Sequence, residues 1–214
     1  MTKLIELNRP YPPPEMHEPG DLWKPAPEVY DWFRKAVVDE KGPIHNPEHT
    51  HLKYAKIGVL WSSVWEGKGG VEVIGTAEIL SFRGKARQKA RQEIPFRQWF
   101  GSAYLTFDFL ITLYAPFFAR ADDYTYCSGV EHEFLHCGQA VEDDGKTKRW
   151  KKDGSPIFDL RSHDVEVFVS EWRRYGAGAA RGASRQLAEV AGLEPEVGAS
   201  QVRAACGTCL RLVA

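Results

Sequence analysis

Apolar residues recur along this chain with two distinct periods, and the alternation between them outlines a mixed fold. Val29, Trp32, Phe33, Ala36 and Val37 return at three- and four-residue intervals and predict an amphipathic helix over residues 28–40, ended by Gly42-Pro43. Residues 52–63 and 71–82 are rich in β-branched and aromatic side chains and predict strands. The glycine-rich link Gly67-Lys68-Gly69-Gly70 makes an antiparallel pair the expected arrangement. Residues 83–99 are basic and helical over part of their length. Leu105, Phe107, Phe109, Ile111 and Leu113 alternate along a further strand over residues 104–114. Asp122 and Asp123 then stand where a helix N-cap is expected, with the helix running from Tyr124 to about Val141. Asp153-Gly154, between Trp150 and Ile157, signals a hairpin. Val165, Phe168, Val169 and Trp172 place a second helix over residues 162–175. The expected class is α+β, a small twisted sheet packed on helices.

Composition divides the chain further. Residues 1–26 are proline-rich, with the run Pro10-Tyr-Pro-Pro-Pro14, and predict an extended N-terminal extension. Residues 27–177 form the expected domain, and residues 178–214 an Ala- and Gly-rich C-terminal extension ending in Cys206-Gly-Thr-Cys209. At 43% apolar residues and a net charge of −1, the chain can bury a core and has no global pull towards nucleic acid or acidic membranes. The first ten residues contain no apolar signal region, and the longest apolar stretch, 107–119, is short and interrupted by Asp108 and Pro116. A cytoplasmic protein with reduced thiols and no membrane partner is expected. The lone CxxC lacks the second ligand pair of a zinc ribbon, so an exposed tail with two thiols is the preferred reading.

One segment changes the picture from a fold to a chemistry. In Val130-Glu-His-Glu-Phe-Leu-His136, the histidines His132 and His136 are four residues apart. On a helix they point the same way from adjacent turns and can grip one ion. Imidazole nitrogen suits Zn²⁺, and Glu133 beside the first ligand can act as general base towards a water that the metal acidifies. A chance HExxH arises in roughly one chain of this length in two hundred, so two ordinary helix histidines are the weaker explanation.

A third ligand must come from further along. The metzincin spacing requires glycine at 139 and histidine at 142, where the chain has Gln139 and Glu142. His163 is the only histidine downstream of the motif and is favoured. Asp164, Glu166 and Glu171 remain alternative carboxylate ligands, with Glu166 also suited to supporting the site from behind and Asp164 to a helix-dipole role. Tyr126, Tyr175, Arg173 and Arg174 are candidates for stabilising an oxyanion, with packing the competing role for the tyrosines.

The segments Val130-Glu-His-Glu-Phe-Leu-His-Cys-Gly138, Leu160-Arg-Ser-His-Asp-Val-Glu-Val-Phe168 and Arg174-Tyr-Gly176 resemble the phage metallopeptidase family over roughly residues 27–176. The resemblance implies a zincin-like fold distantly similar to SprT-like proteins, with His132, Glu133, His136 and His163 as the zinc site. Val167 stands where the family often has a further glutamate. The implied activity is hydrolysis of a protein or peptide substrate in a phage or prophage setting, with the strand over 104–114 a candidate for binding peptide by strand addition.

Other features point elsewhere. His45, His49 and His51 form a cluster read as a loop of solvated histidines in preference to a second metal site. Arg83-Gly-Lys-Ala-Arg-Gln-Lys-Ala-Arg91 is a basic stripe, read as a solvated helix face in preference to a DNA contact. The competing functional class is a DNA-associated or regulatory module with structural zinc. Glu133→Gln separates the two, since it silences an enzyme and leaves a structural site intact.

Overall fold

The computed structural model describes residues 8–68, 71–164, 183–193, 204–206 and 212–213. Its centre is a mixed sheet built from β1 (Trp23–Pro25), β2 (Ile57–Ser62), β3 (Gly67–Lys68), β4 (Val71–Glu78), β5 (Phe109–Tyr114) and two short C-terminal strands. β1 runs antiparallel to β2, β2 parallel to β5, and β5 antiparallel to β4, with β3 forming a local hairpin on β4.

The segments expected to pair directly, around 52–63 and 71–82, are therefore separated by β5. Its sequence Phe-Leu-Ile-Thr-Leu-Tyr is buried on both faces apart from the half-buried Thr112. A strand of that composition is stable where both faces are covered, which is the centre of the sheet. The strand expected over 104–114 is shorter than its alternation suggested. Ala103–Thr106 forms a 3₁₀ turn with Leu105 exposed, and the strand begins at Phe109. Likewise Pro47–Tyr54 is a 3₁₀ segment leading into β2. With both its edges paired, β5 has no edge free for adding a peptide strand, and that expectation is withdrawn.

Side chains of alternating parity on the strands point to two different layers. Ile57, Val59, Trp61, Phe109, Ile111 and Leu113 belong to the main core. They pack with α1 (Pro27–Phe33), which opens on a proline at a position needing no backbone N–H. Leu60, Ser62, Leu110, Thr112 and Tyr114 face the opposite side, where a cavity of about 340 Å³ is closed by Phe96 and Trp99 of α2 (Ala86–Phe100). α3 (Ala115–Arg120) follows β5 directly and contributes Phe118 to the core.

The proline-rich N-terminal segment, from Asn8 onward, is packed on the domain. Arg9 is buried over the ring of Tyr126, and its guanidinium donates to Asp123 Oδ1 (2.7 Å) and to the Ala121 carbonyl (2.6 Å). At the other end, the backbone of β8 (Ala204–Cys206) runs parallel to β4, and β9 (Leu212–Val213) pairs with β8. The backbone of Cys206 is thus part of the sheet, whereas Cys209 lies outside the described residues. Among the described residues no helix is long and apolar enough to cross a membrane.

Candidate metal centre

Helix α4 (Asp123–Leu135) carries the motif and begins as its sequence dictates: the Asp122 side chain accepts from the Thr125 N–H at 2.7 Å. Its inner face, Tyr126, Cys127, Val130 and Phe134, is buried. Phe134 stacks on Phe33 with ring centroids 3.8 Å apart, and Tyr126 meets Trp32 and Phe118 edge-on. Burial pushes the Tyr126 hydroxyl well above its ordinary pKa. Surrounded by aromatic rings, it is part of the core and far better suited to packing than to meeting an oxyanion.

The helix ends at Leu135, with His136 as its C-cap, where continuation to about Val141 was expected. Cys137–Gln139 instead forms β6, antiparallel to β7 (Phe158–Leu160). Residues between them fold back through a turn in which Gly154 takes φ +82, a backbone region that L side chains rarely adopt, as the Asp153-Gly154 signal predicted. The register sets Cys137 opposite Leu160. The hairpin therefore returns the chain to the end of α4: Arg161 N–H donates to the His136 carbonyl (2.9 Å), and His136 Nδ1 lies 2.7 Å from the Arg161 carbonyl. That contact fits an N–H donated from Nδ1, which makes Nε2 the candidate ligand atom.

Two residues later His163 reaches the same place. One nitrogen from each of His132, His136 and His163 lies within 4.8 Å of the other two. The ring centroids form a nearly equilateral triangle of 5.0, 5.1 and 5.1 Å, and the Nε2 atoms of His132 and His163 are 3.2 Å apart. Two nitrogens each bound at ~2.0–2.1 Å to a tetrahedral ion stand about 3.3 Å apart, and the His132–His163 pair, at 3.2 Å, already has that spacing. Three imidazole nitrogens are a donor set that suits zinc.

Glu133 is fully buried on the adjacent face of α4, against β4. A Cβ on Gly75 would lie 2.6–2.8 Å from the Glu133 Cγ, Cδ and Oε1 atoms, so only glycine allows the strand so close to this carboxylate. A lone glycine inside a strand pattern is the sequence signal of such an approach.

Asp164 is not part of the triad. Both its carboxylate oxygens accept from Arg161 Nη2, at 2.8 and 2.7 Å. Glu166, Glu171, Arg173, Arg174 and Tyr175, together with the helix expected over 162–175 beyond its first residues, lie outside the described residues.

The histidine cluster at 45–51 has a role different from the solvated loop expected. His49 is buried, with Nε2 3.3 Å from Glu131 Oε1, and Asn46 Nδ2 donates to the same oxygen at 2.7 Å. Burial pushes the Glu131 carboxyl up, but the hydrogen bonds from His49 and Asn46 outweigh it and hold the group below its ordinary pKa. His51 Nε2 lies 2.7 Å from the Cys137 carbonyl, and burial, only partly opposed by that bond, lowers the imidazole's pKa. Glu48 accepts from Arg161 Nη1 at 2.9 Å. The 3₁₀ segment thus braces α4 and the β6–β7 hairpin together. Glu48, Glu131 and Arg161 left no local signal in the sequence, since their partners are distant.

An α+β domain that gathers three imidazoles around the reach of one ion defines a candidate metalloprotein. A family model described as putative phage metallopeptidase matches residues 30–192, well over half of the chain, and the protein belongs to that family. No curated protein and no solved structure matches the chain significantly.

Proposed function

We propose that the protein is a zincin-like zinc peptidase in which His132, His136 and His163 hold the metal and Glu133 is the general base. The observation that carries the reading is the convergence of three imidazole nitrogens within 4.8 Å, with a glutamate directly following the first of these histidines in α4. Family membership supports a peptide bond as the target. A bound zinc would supply Lewis acidity, polarising the scissile carbonyl and acidifying a water at the open position. With the metal in place, Glu133 would be the group that accepts a proton from the attacking water and passes it to the leaving amine nitrogen. The His136–Arg161 contact fixes one ligand's tautomer and orientation. Gly75 sets how closely Glu133 approaches β4.

The test pairs metal analysis with cleavage of an unfolded protein such as casein. The wild-type chain is expected to hold one zinc and to cleave; Glu133→Gln keeps the zinc and loses about 100-fold or more in turnover. His136→Ala loses the metal. Equal cleavage by wild type and Glu133→Gln removes the general-base role. A zinc-loaded wild type without cleavage, whose His136→Ala variant merely unfolds, makes the metal structural.

A further inference from the structure

A dense run of like charge lies on the side of the sheet away from the three histidines. Arg83, Lys85, Arg87, Lys89 and Arg91 put five cations into nine residues with no acid among them, in a chain whose net charge is −1. Every residue from 83 to 92 is exposed, and no residue of α2 is buried. None of these five side chains makes an ion pair among the described residues. The first acid along the helix, Glu93, is already engaged by Arg97 (3.6 Å) and by the Tyr104 hydroxyl (3.4 Å).

Helix physics opposes this placement. Cations in the first turns face the positive end of the helix dipole, and Arg87 and Arg91 are like charges one turn apart. The turn is held instead by amide side chains: Gln88 accepts from the Lys85 N–H (2.8 Å), and Gln92 both accepts from the Arg83 N–H (3.1 Å) and donates to its carbonyl (2.9 Å). The opposite end of α2 is anchored by aromatic contacts, Phe96 with Phe82 and Tyr104, and Trp99 with Trp23. The result is a cationic half-helix held out into solvent on a fixed base. A local arrangement unfavourable to the free protein is expected where a ligand relieves it.

We infer that the N-terminal half of α2 docks on the phosphate backbone of duplex nucleic acid, without reading its sequence. Three of the cations are arginines, whose forked guanidinium matches phosphate oxygens. The exposed half-helix has only Ala86 and Ala90 as apolar side chains, which is too little to insert into a lipid surface. It also carries no aromatic ring on which an unpaired base could stack, which favours a duplex over a single strand. The cations lie on both sides of the helix, since Lys89 is rotated roughly 160–200° from Arg87 and Arg91, so a partner that encloses the helix, as a groove does, meets them all. The sheet stands between this surface and the three histidines: α2 covers Leu110, Thr112 and Tyr114, while α4 packs with the side chains of opposite parity. Duplex binding therefore leaves the metal centre accessible.

Fluorescence anisotropy of the full chain with a short labelled DNA duplex of random sequence, across a series of KCl concentrations, tests this. The expected result is binding that weakens linearly in log–log form, with a slope of up to about −4.5 for some five neutralised phosphates. The variant carrying Arg83→Gln, Arg87→Gln, Lys89→Gln and Arg91→Gln is expected to bind at least tenfold more weakly at low salt. Each single substitution lowers the slope by about one, which keeps the test decisive should the combined variant fold poorly. Metal content and circular dichroism of the variants are expected to match wild type. No duplex binding by wild type at low salt overturns the inference. So does an unchanged slope in the variants, or tighter binding to phosphatidylserine-containing vesicles or to the single strand.

Discussion

The two faces of the central sheet are built on opposite principles. Towards α4, side chains interlock: Phe33 stacks on Phe134, Arg9 covers Tyr126, and Glu133 lies against a glycine with no room to spare. Polar side chains there find distant partners, as the buried His49 does in the half-buried Glu131. Towards α2, the sheet is covered only at one end of a helix none of whose residues is buried, and the five cations of residues 83–91 make no ion pair among the described residues. Holding three imidazoles and a carboxylate in fixed relative positions requires the first kind of surface. Long-range attraction of a polyanion requires only the second, since it depends on charge and exposure more than on fixed geometry.

Substitutions on each face test that contrast. The largest effect is expected from Glu133→Gln, with turnover down about 100-fold or more at unchanged zinc content, measured by protease assay and metal analysis. Next, Phe33→Ala removes a fully buried ring stacked on the motif helix and is expected to cost about 3–5 kcal/mol in a urea unfolding titration. Gly75→Ala brings a methyl against the Glu133 side chain and is expected to cost about 1–3 kcal/mol. Because the ligands are untouched, its zinc content should hold while its turnover falls. Cys127 lies on the packed face, and burial pushes its thiol up to about 12. Almost no thiolate is present in the native protein at pH 8, and peptide mapping should find Cys127 alkylated by iodoacetamide only as the protein unfolds. The smallest effect belongs to the exposed face: the four α2 glutamine substitutions are expected to leave stability within about 0.5 kcal/mol of wild type. A loss of several kcal/mol there would mean that the cations hold the fold together, and the contrast between the faces would collapse.

Much of the candidate site was legible because its signals are local. The Asp122 cap, the four-residue spacing of His132 and His136, and the Asp153-Gly154 turn each depend on neighbours within a few residues. The prediction that residues 52–63 and 71–82 pair failed for the complementary reason. Periodicity identifies strands but says nothing about which strand lies beside which, and β5 took the place between them. The motif helix was read as too long because Val130 and Val141 suggested a common face, whereas Cys137–Gln139 is drawn into a ladder with residues some twenty positions away. His49 was expected in solvent because nothing near it in sequence reveals Glu131, 82 residues distant.

His163 shows where the boundary lies. Its sequence determined the chemistry: an imidazole downstream of a pair already spaced for one ion, with Glu133 between them. The route by which it arrives was decided by tertiary structure. The β6–β7 hairpin, locked to His136 through both polar backbone groups of Arg161, returns the chain to the end of α4 and sets the third ring 5.0 Å from the first. Local sequence specifies which groups a residue offers and how a short segment turns. The distance between groups thirty residues apart is set by strand register and packing, which belong to the chain as a whole.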